Sequence, residues 1–170
     1  PVPEVHHGED GASVILADGT VEHCDMVVVT VPLGVLKRSA SEGGIDFSPP
    51  LCEAKQQAIH SLGMGTENKI VLLWAVEDIF WPASAPYLQC TDPRFRFLNG
   101  DYFGKPGLLV ALVAPPYAEE MEELDDEIVL HNLLGVLRAA FVPNQGSLPA
   151  LLDWRITRWG KDPYSFGSYS

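Results

Sequence analysis

The stretch that most constrains this chain is Asp25-Met26-Val27-Val28-Val29-Thr30-Val31, which runs straight into Pro32. β-Branched residues in an unbroken apolar series favour extended backbone, and they suit a strand buried on both faces inside a sheet with helices around it. Pro32 has no N–H to offer a ladder, so the strand must stop there, and Gly34 keeps the following short helical turn compact.

Other segments fit the same layered architecture. Residues 1–7, 13–16 and 25–31 read as three strands, with Asp18-Gly19 as the turn between the second and third. Ser48-Pro49-Pro50 closes a loop before a helix over 51–62, where Ala54, Ala58, Ile59 and Leu62 share one face. Residues 68–75 and 108–114 read as strands, the second ending at Pro115-Pro116. Between them, prolines and glycines over 83–105 predict short strands and long loops. A long helix is expected over 125–141, with Val129, Leu130, Leu133, Leu134, Leu137 and Phe141 at helical spacing, Asp125 as its cap and residues 142–146 ending it. Alternation over 151–159 suits a last strand, which Asp162-Pro163 breaks.

Three blocks carry chemistry beyond the core. The terminal string Thr157-Arg158-Trp159-Gly160-Lys161-Asp162-Pro163-Tyr164-Ser165-Phe166-Gly167-Ser168-Tyr169-Ser170 combines flat aromatic faces, hydroxyls and a glycine that permits close backbone approach. Such a combination can line a ring-shaped cofactor. The second block is Thr30-Val31-Pro32-Leu33-Gly34-Val35-Leu36, and the third is Gly63-Met64-Gly65-Thr66-Glu67-Asn68-Lys69 leading into an apolar strand. Lys69 is the one cation of that strand; a lysine at a strand end ordinarily reaches for solvent.

In this order the three blocks resemble the flavin-containing amine oxidases, the polyamine oxidases and the related lysine demethylases among them. The likeness runs nearly end to end, with a poorer match over 83–105. It implies an α+β (α/β) fold in which a mixed β-sheet flanked by helices, the substrate-binding domain at 33–157, is preceded by a small β-meander of the FAD-binding domain at 1–32. Residues 158–170 would return toward the FAD-binding domain. The resemblance further implies FAD as cofactor of the full-length protein. Val2 would meet the adenine through its backbone, Thr30, Val31, Pro32 and Leu33 would contact the cofactor, and Trp159, Tyr164, Ser168 and Tyr169 would lie on the flavin side. Tyr169 also matches an aromatic wall against which the substrate amine packs. Lys69 matches a lysine that holds a water against the flavin, where it could act as a hydrogen-bond partner or proton relay.

The reaction so implied is hydride transfer from the carbon beside an amine nitrogen to the flavin, then imine hydrolysis and reoxidation by molecular oxygen to hydrogen peroxide. A polyamine is the first expected substrate, because Ala58-Ile59-His60-Ser61-Leu62-Gly63-Met64-Gly65-Thr66 resembles the polyamine oxidases closely. Histone methyl-lysine is the alternative, and a non-catalytic homologue acting as a binding module is a third reading. The sequence holds no Gly-x-Gly-x-x-Gly turn between a strand and a helix, which dinucleotide phosphates require. The remainder of an amine oxidase chain is therefore an expected partner, and these residues alone are expected neither to hold FAD tightly nor to turn over amine.

Composition narrows the classes further. A net charge of −12 disfavours direct nucleic-acid binding and is compatible with attracting a cationic amine. Much of the acid lies in residues 119–127, where solvated helix ends are the ordinary explanation. No apolar run reaches the roughly 18 residues of a membrane span. Cys24, Cys52 and Cys90 are far apart and read as free thiols in a reducing intracellular compartment such as cytoplasm, peroxisome or nucleus. His6, His7, His23, His60 and His131 have no metal-ligand spacing, and no Gly-x-Ser-x-Gly elbow supports a hydrolase.

Overall fold

Near the start of the chain, Asp18-Gly19 turns the backbone as its chemistry demands: Gly19 takes φ 86°, and Thr20 N–H donates to Asp18 Oδ1 at 2.9 Å. The turn joins β2 (Gly11–Ile15) to β3 (Val21–Cys24), and β1 (Glu4–Gly8) pairs antiparallel with β2. After α1 (Leu33–Leu36), β4 (Asp46–Ser48) returns to lie parallel to β1, giving the mixed sheet order β3-β2-β1-β4. The short helix α2 (Glu53–Ser61) follows. The structure is a computed structural model and describes residues 1–142 and 146–170.

The chain divides into two compact units, one of Pro1–Gly65 with Gly160–Ser170, the other of Thr66–Trp159. The meander expected at 1–32 shares its unit with residues 33–65, where β4 pairs with β1. The second unit ends at Trp159.

One expectation in the first unit fails and a second is met in part. Residues 25–31 form no strand: the third strand ends at Cys24, and Met26 and Val28 are each 79 % exposed. The run follows an edge strand and, among the described residues, has no neighbouring strand with which to form a ladder. Helix α2 forms, yet none of its residues is buried, and Leu62 beyond it is exposed. Its C-terminal carbonyls are instead held by Lys37, whose Nζ donates to Ile59 O at 2.6 Å and His60 O at 3.0 Å.

In the second unit β5 (Asn68–Leu73), β6 (Tyr87–Gln89), β7 (Arg96–Asn99), β8 (Leu108–Val113) and β9 (Asp153–Ile156) form one antiparallel sheet, ordered β6-β7-β8-β5-β9. Register aligns Leu88, Phe97, Ala111, Ile70 and Ile156 in a row across all five strands. Over this row pack α3 (Tyr117–Met121) and α4 (Asp126–Phe141), through Ala118, Met121, Val129, Leu133 and Leu137. Each large side chain so buried contributes roughly 1.5–3 kcal/mol. Asp125 occupies the cap position of α4, but its side chain makes no capping bond. The expected end of that helix at 142–146 lies partly outside the described residues; α4 itself stops at Phe141. With helices against a mixed and an antiparallel sheet, the α+β class holds.

Candidate functional site

The terminal string is shaped by a turn that its own side chains build. Asp162 accepts from Tyr164 N–H at 2.9 Å and from Ser165 Oγ at 3.0 Å, while its carbonyl accepts from Phe166 N–H at 2.9 Å. Phe166 then takes the left-handed φ of 50°, uncommon for a residue with a side chain. The guanidinium of Arg38 lies 4.0 Å over its ring, a cation–π contact that holds it in place. Gly167 follows at φ 138°, where a Cβ would fall 2.7 Å from Gly65 O. Gly65 N–H donates to Tyr169 O and Ser168 N–H donates to Gly65 O, both at 2.8 Å, so the Gly-Met-Gly turn and the Gly-Ser-Tyr string form a two-bond bridge.

The Thr-Val-Pro-Leu-Gly-Val-Leu block meets the same segment. Pro32 caps α1, and a Cβ at Gly34 would fall 2.2 Å from Ser165 O, so only glycine lets these backbones touch. A mostly apolar cleft of about 440 Å³ is lined by Val2, Val31, Val35, Ile45 and Tyr164 among others. Three of the sequence-predicted cofactor residues, Val2, Val31 and Tyr164, therefore come together. Thr30 and Pro32 are exposed, Leu33 is half-buried, Ser168 is buried and Tyr169 is 63 % exposed.

Lys69 and Trp159 belong to the other unit. Lys69 lies on β5 with Val71 and Leu73, on the face opposite the buried Asn68, Ile70 and Leu72. Trp159 carries a buried Nε1–H that has no acceptor among the described residues. The contrast with other buried indoles is clear: Trp74 donates to Pro149 O at 3.1 Å and Trp81 to Asn99 Oδ1 at 2.9 Å. A buried donor left without a partner costs about 1–3 kcal/mol, so this one marks a place where an acceptor is to be supplied. Taken each within its own unit, the orphaned indole and the apolar cleft are features that residues of a flavin nucleotide site would present, and the group fits each of them.

Residues that sequence reasoning passed over organise this region. Asn68, fully buried, bonds four groups, and Arg158 donates to Met121 O, Leu124 O and Asp126, fastening the link between α3 and α4. The Asp-x-x-Ser spacing of Asp162 and Ser165 was a legible signal of the terminal turn; nothing local announced the other two.

The family model for flavin containing amine oxidoreductases matches residues 1–170. The chain belongs to that family. Its membership implies FAD as the cofactor of the intact protein. Lysine-specific histone demethylase 1 homolog 2 of Oryza sativa subsp. japonica is 36 % identical over 99 % of this chain, which spans 22 % of that relative. Polyamine oxidase 4 of the same plant is 35 % identical over 95 % of the chain, which spans 32 % of it. Among solved structures, a putrescine oxidase bound to putrescine superposes with TM-score 0.74 at 22 % identity, covering 100 % of this chain and 36 % of that one. Cyclohexylamine oxidase from Brevibacterium oxydans IH-35A gives 0.76 at 17 %, covering 99 % and 36 %. At those identities the structural likeness establishes the fold. The chain thus spans about a fifth to a third of the length of these curated relatives.

Proposed function

We propose that these residues are part of an FAD-dependent amine oxidase that acts on an N-substituted amine. The observation that carries the reading is the buried indole N–H of Trp159, which has no acceptor among the described residues, in a chain of this family. Bound FAD would supply the acceptor for a hydride leaving the carbon next to the amine nitrogen. Trp159 would donate its indole N–H to the cofactor, and Val2, Val31 and Tyr164 would shield an apolar portion of it from water. Thr30, Pro32 and Leu33 would contact it along the backbone, and Ser168 would sit on the flavin side. Tyr169 offers the amine a flat face, and Lys69 would hold a water or pass a proton at Nζ.

Two substrates are supported by different observations. Methyl-lysine is favoured by the plant demethylase homologues, which match 99 % of the chain at 35–37 % identity. A polyamine, the first expectation from residues 58–66, keeps the support of polyamine oxidase 4 at 35 %. We place methyl-lysine first on the breadth of that match. Anaerobic mixing of the intact parent protein with each substrate decides between them, since the oxidised flavin loses its visible absorbance on reduction. Bleaching by a methyl-lysine peptide with release of formaldehyde supports the first; bleaching by spermine with release of an aminoaldehyde supports the second. A parent protein without flavin overturns both and leaves a binding module. Lys69→Met is expected to slow flavin reduction while flavin content stays unchanged, and an unchanged rate would return Lys69 to a strand-end role.

A further inference from the structure

Just beyond the last pair of the β5–β9 ladder, Ile70 and Ile156, side chains join the backbone in the bonding. Lys69 N–H donates to Thr157 Oγ1 at 2.8 Å, and Thr157 N–H returns to Lys69 O at 2.9 Å. The Thr157 hydroxyl in turn reaches Asn68 Oδ1 at 3.1 Å, and the same oxygen accepts Trp159 N–H at 2.9 Å. On its other side, Asn68 Nδ2 donates to Glu122 Oε1 at 2.7 Å and to Ala118 O at 3.3 Å. A primary amide has two donors and two acceptor sites, and this one uses them all while fully buried.

We propose that Asn68 is a positioning residue, which through Thr157 and Trp159 N–H fixes the backbone carrying Lys69 and Trp159 and anchors both to Glu122. The inference rests on the amine oxidase reading for its kinetic consequence. Its chemistry is specific to an amide: an aspartate of the same shape would set a carboxylate against the Glu122 carboxylate and lose both donors. Serine or alanine would leave Trp159 N–H without its acceptor and take a donor from the buried Glu122 side chain. The amide also orders the two ends of the network, because its oxygen can face only the groups that donate and its nitrogen only those that accept. An exchange of roles is therefore possible at one point alone, between Asn68 and Glu122, where Asn68→Asp combined with Glu122→Gln would restore a donor–acceptor pair of opposite sense while the longer 3.3 Å bond to Ala118 O is lost.

The test compares Asn68→Asp, Glu122→Gln and the double variant in the intact parent protein. Asn68→Asp is expected to slow anaerobic flavin reduction roughly tenfold to a hundredfold, with flavin content and the substrate concentration at half-maximal rate little changed, as for a small misplacement of reacting groups. Adding Glu122→Gln is expected to bring the rate back to within roughly threefold of wild type, which a general loss of packing would not do. A wild-type rate in Asn68→Asp, or a loss that Glu122→Gln leaves in place, overturns the proposal. Should Asn68→Asp fail to fold, Thr157→Val keeps the shape and removes the acceptor of Lys69 N–H; several-fold slower reduction supports the proposal and an unchanged rate overturns it. If the wild-type parent binds flavin but no amine reduces it, or binds none, the amine oxidase reading fails by itself. Amide hydrogen exchange then reads the positioning directly: faster exchange at Lys69 and Trp159 in Asn68→Asp, restored in the double variant, supports it, and unchanged exchange overturns it.

Discussion

The two units of this protein are stabilised by different means. In Thr66–Trp159, one sheet face and two helices share a continuous core in which Ile70, Leu72, Phe97, Leu109, Leu133 and Leu137 are fully buried. In Pro1–Gly65 with Gly160–Ser170, the buried apolar side chains are Val5, Val35 and Ile45, and close backbone contacts at Gly34, Gly65 and Gly167 do much of the holding. The first arrangement tolerates repacking but not cavities; the second tolerates small losses of side-chain volume but not an added Cβ. A unit that carries its own core presents Lys69 from a strand, β5, and Trp159 from the turn just past β9. The unit that carries most of the proposed cofactor contacts is shaped by turns.

This contrast is tested most severely in the denser core. Leu133→Ala is expected to cost about 3 kcal/mol in urea unfolding, against about 1 kcal/mol for Val5→Ala. Equal losses would erase the distinction. Next, Gly34→Ala must push against Ser165 O and is expected to cost about 2 kcal/mol and to speed proteolysis of residues 160–170. Gly63→Ala, where a Cβ meets nothing within 4 Å, is its control and is expected to be neutral or stabilising by up to about 1 kcal/mol. If Gly34→Ala were also neutral, backbone contact would not be what holds that unit.

The smallest effect concerns pH. The hydrogen bonds from Arg94 hold the Asp92 carboxyl below its ordinary pKa, at a partly exposed site where Arg94 Nη2 lies 2.8 Å from Asp92 Oδ2. A carboxyl depressed in the folded state adds stability above its unfolded pKa and loses it as pH falls through the folded value. Asp92→Asn should therefore cost about 0.5 kcal/mol near neutrality, and the difference from wild type should vanish in acid below the ordinary carboxylate range. A difference that persists there would assign the effect to packing.

Legibility followed the same division. Continuous apolar runs found β5 and β8, and 3.6-residue spacing found α4, because in those elements each local pattern faces a core within the described residues. The valine run after Asp25 misled for the opposite reason: it states a demand for burial without naming what meets it. The short helix after Pro50 was legible from its spacing, although the apolar face that the spacing marks lies largely exposed. Asn68 was unreadable because its partners stand 50 to 91 positions further along the chain, so its role exists only once β5, α3 and the segment after β9 are folded together. The candidate cofactor residues were legible as ordered strings and their turn from Asp162-Pro163, whereas the backbone groups that Gly34 and Gly167 meet were not.

The exposed valines have a colloidal consequence. Met26-Val27-Val28-Val29 carries no charge and no proline, and it leaves an edge strand with its backbone unclaimed by a neighbouring strand among the described residues. Such a segment is a template on which other copies can add strands, the first step toward ordered aggregates. Purified as these residues alone, the protein is expected to scatter light on standing, and a single lysine in place of Val28 should keep it clear.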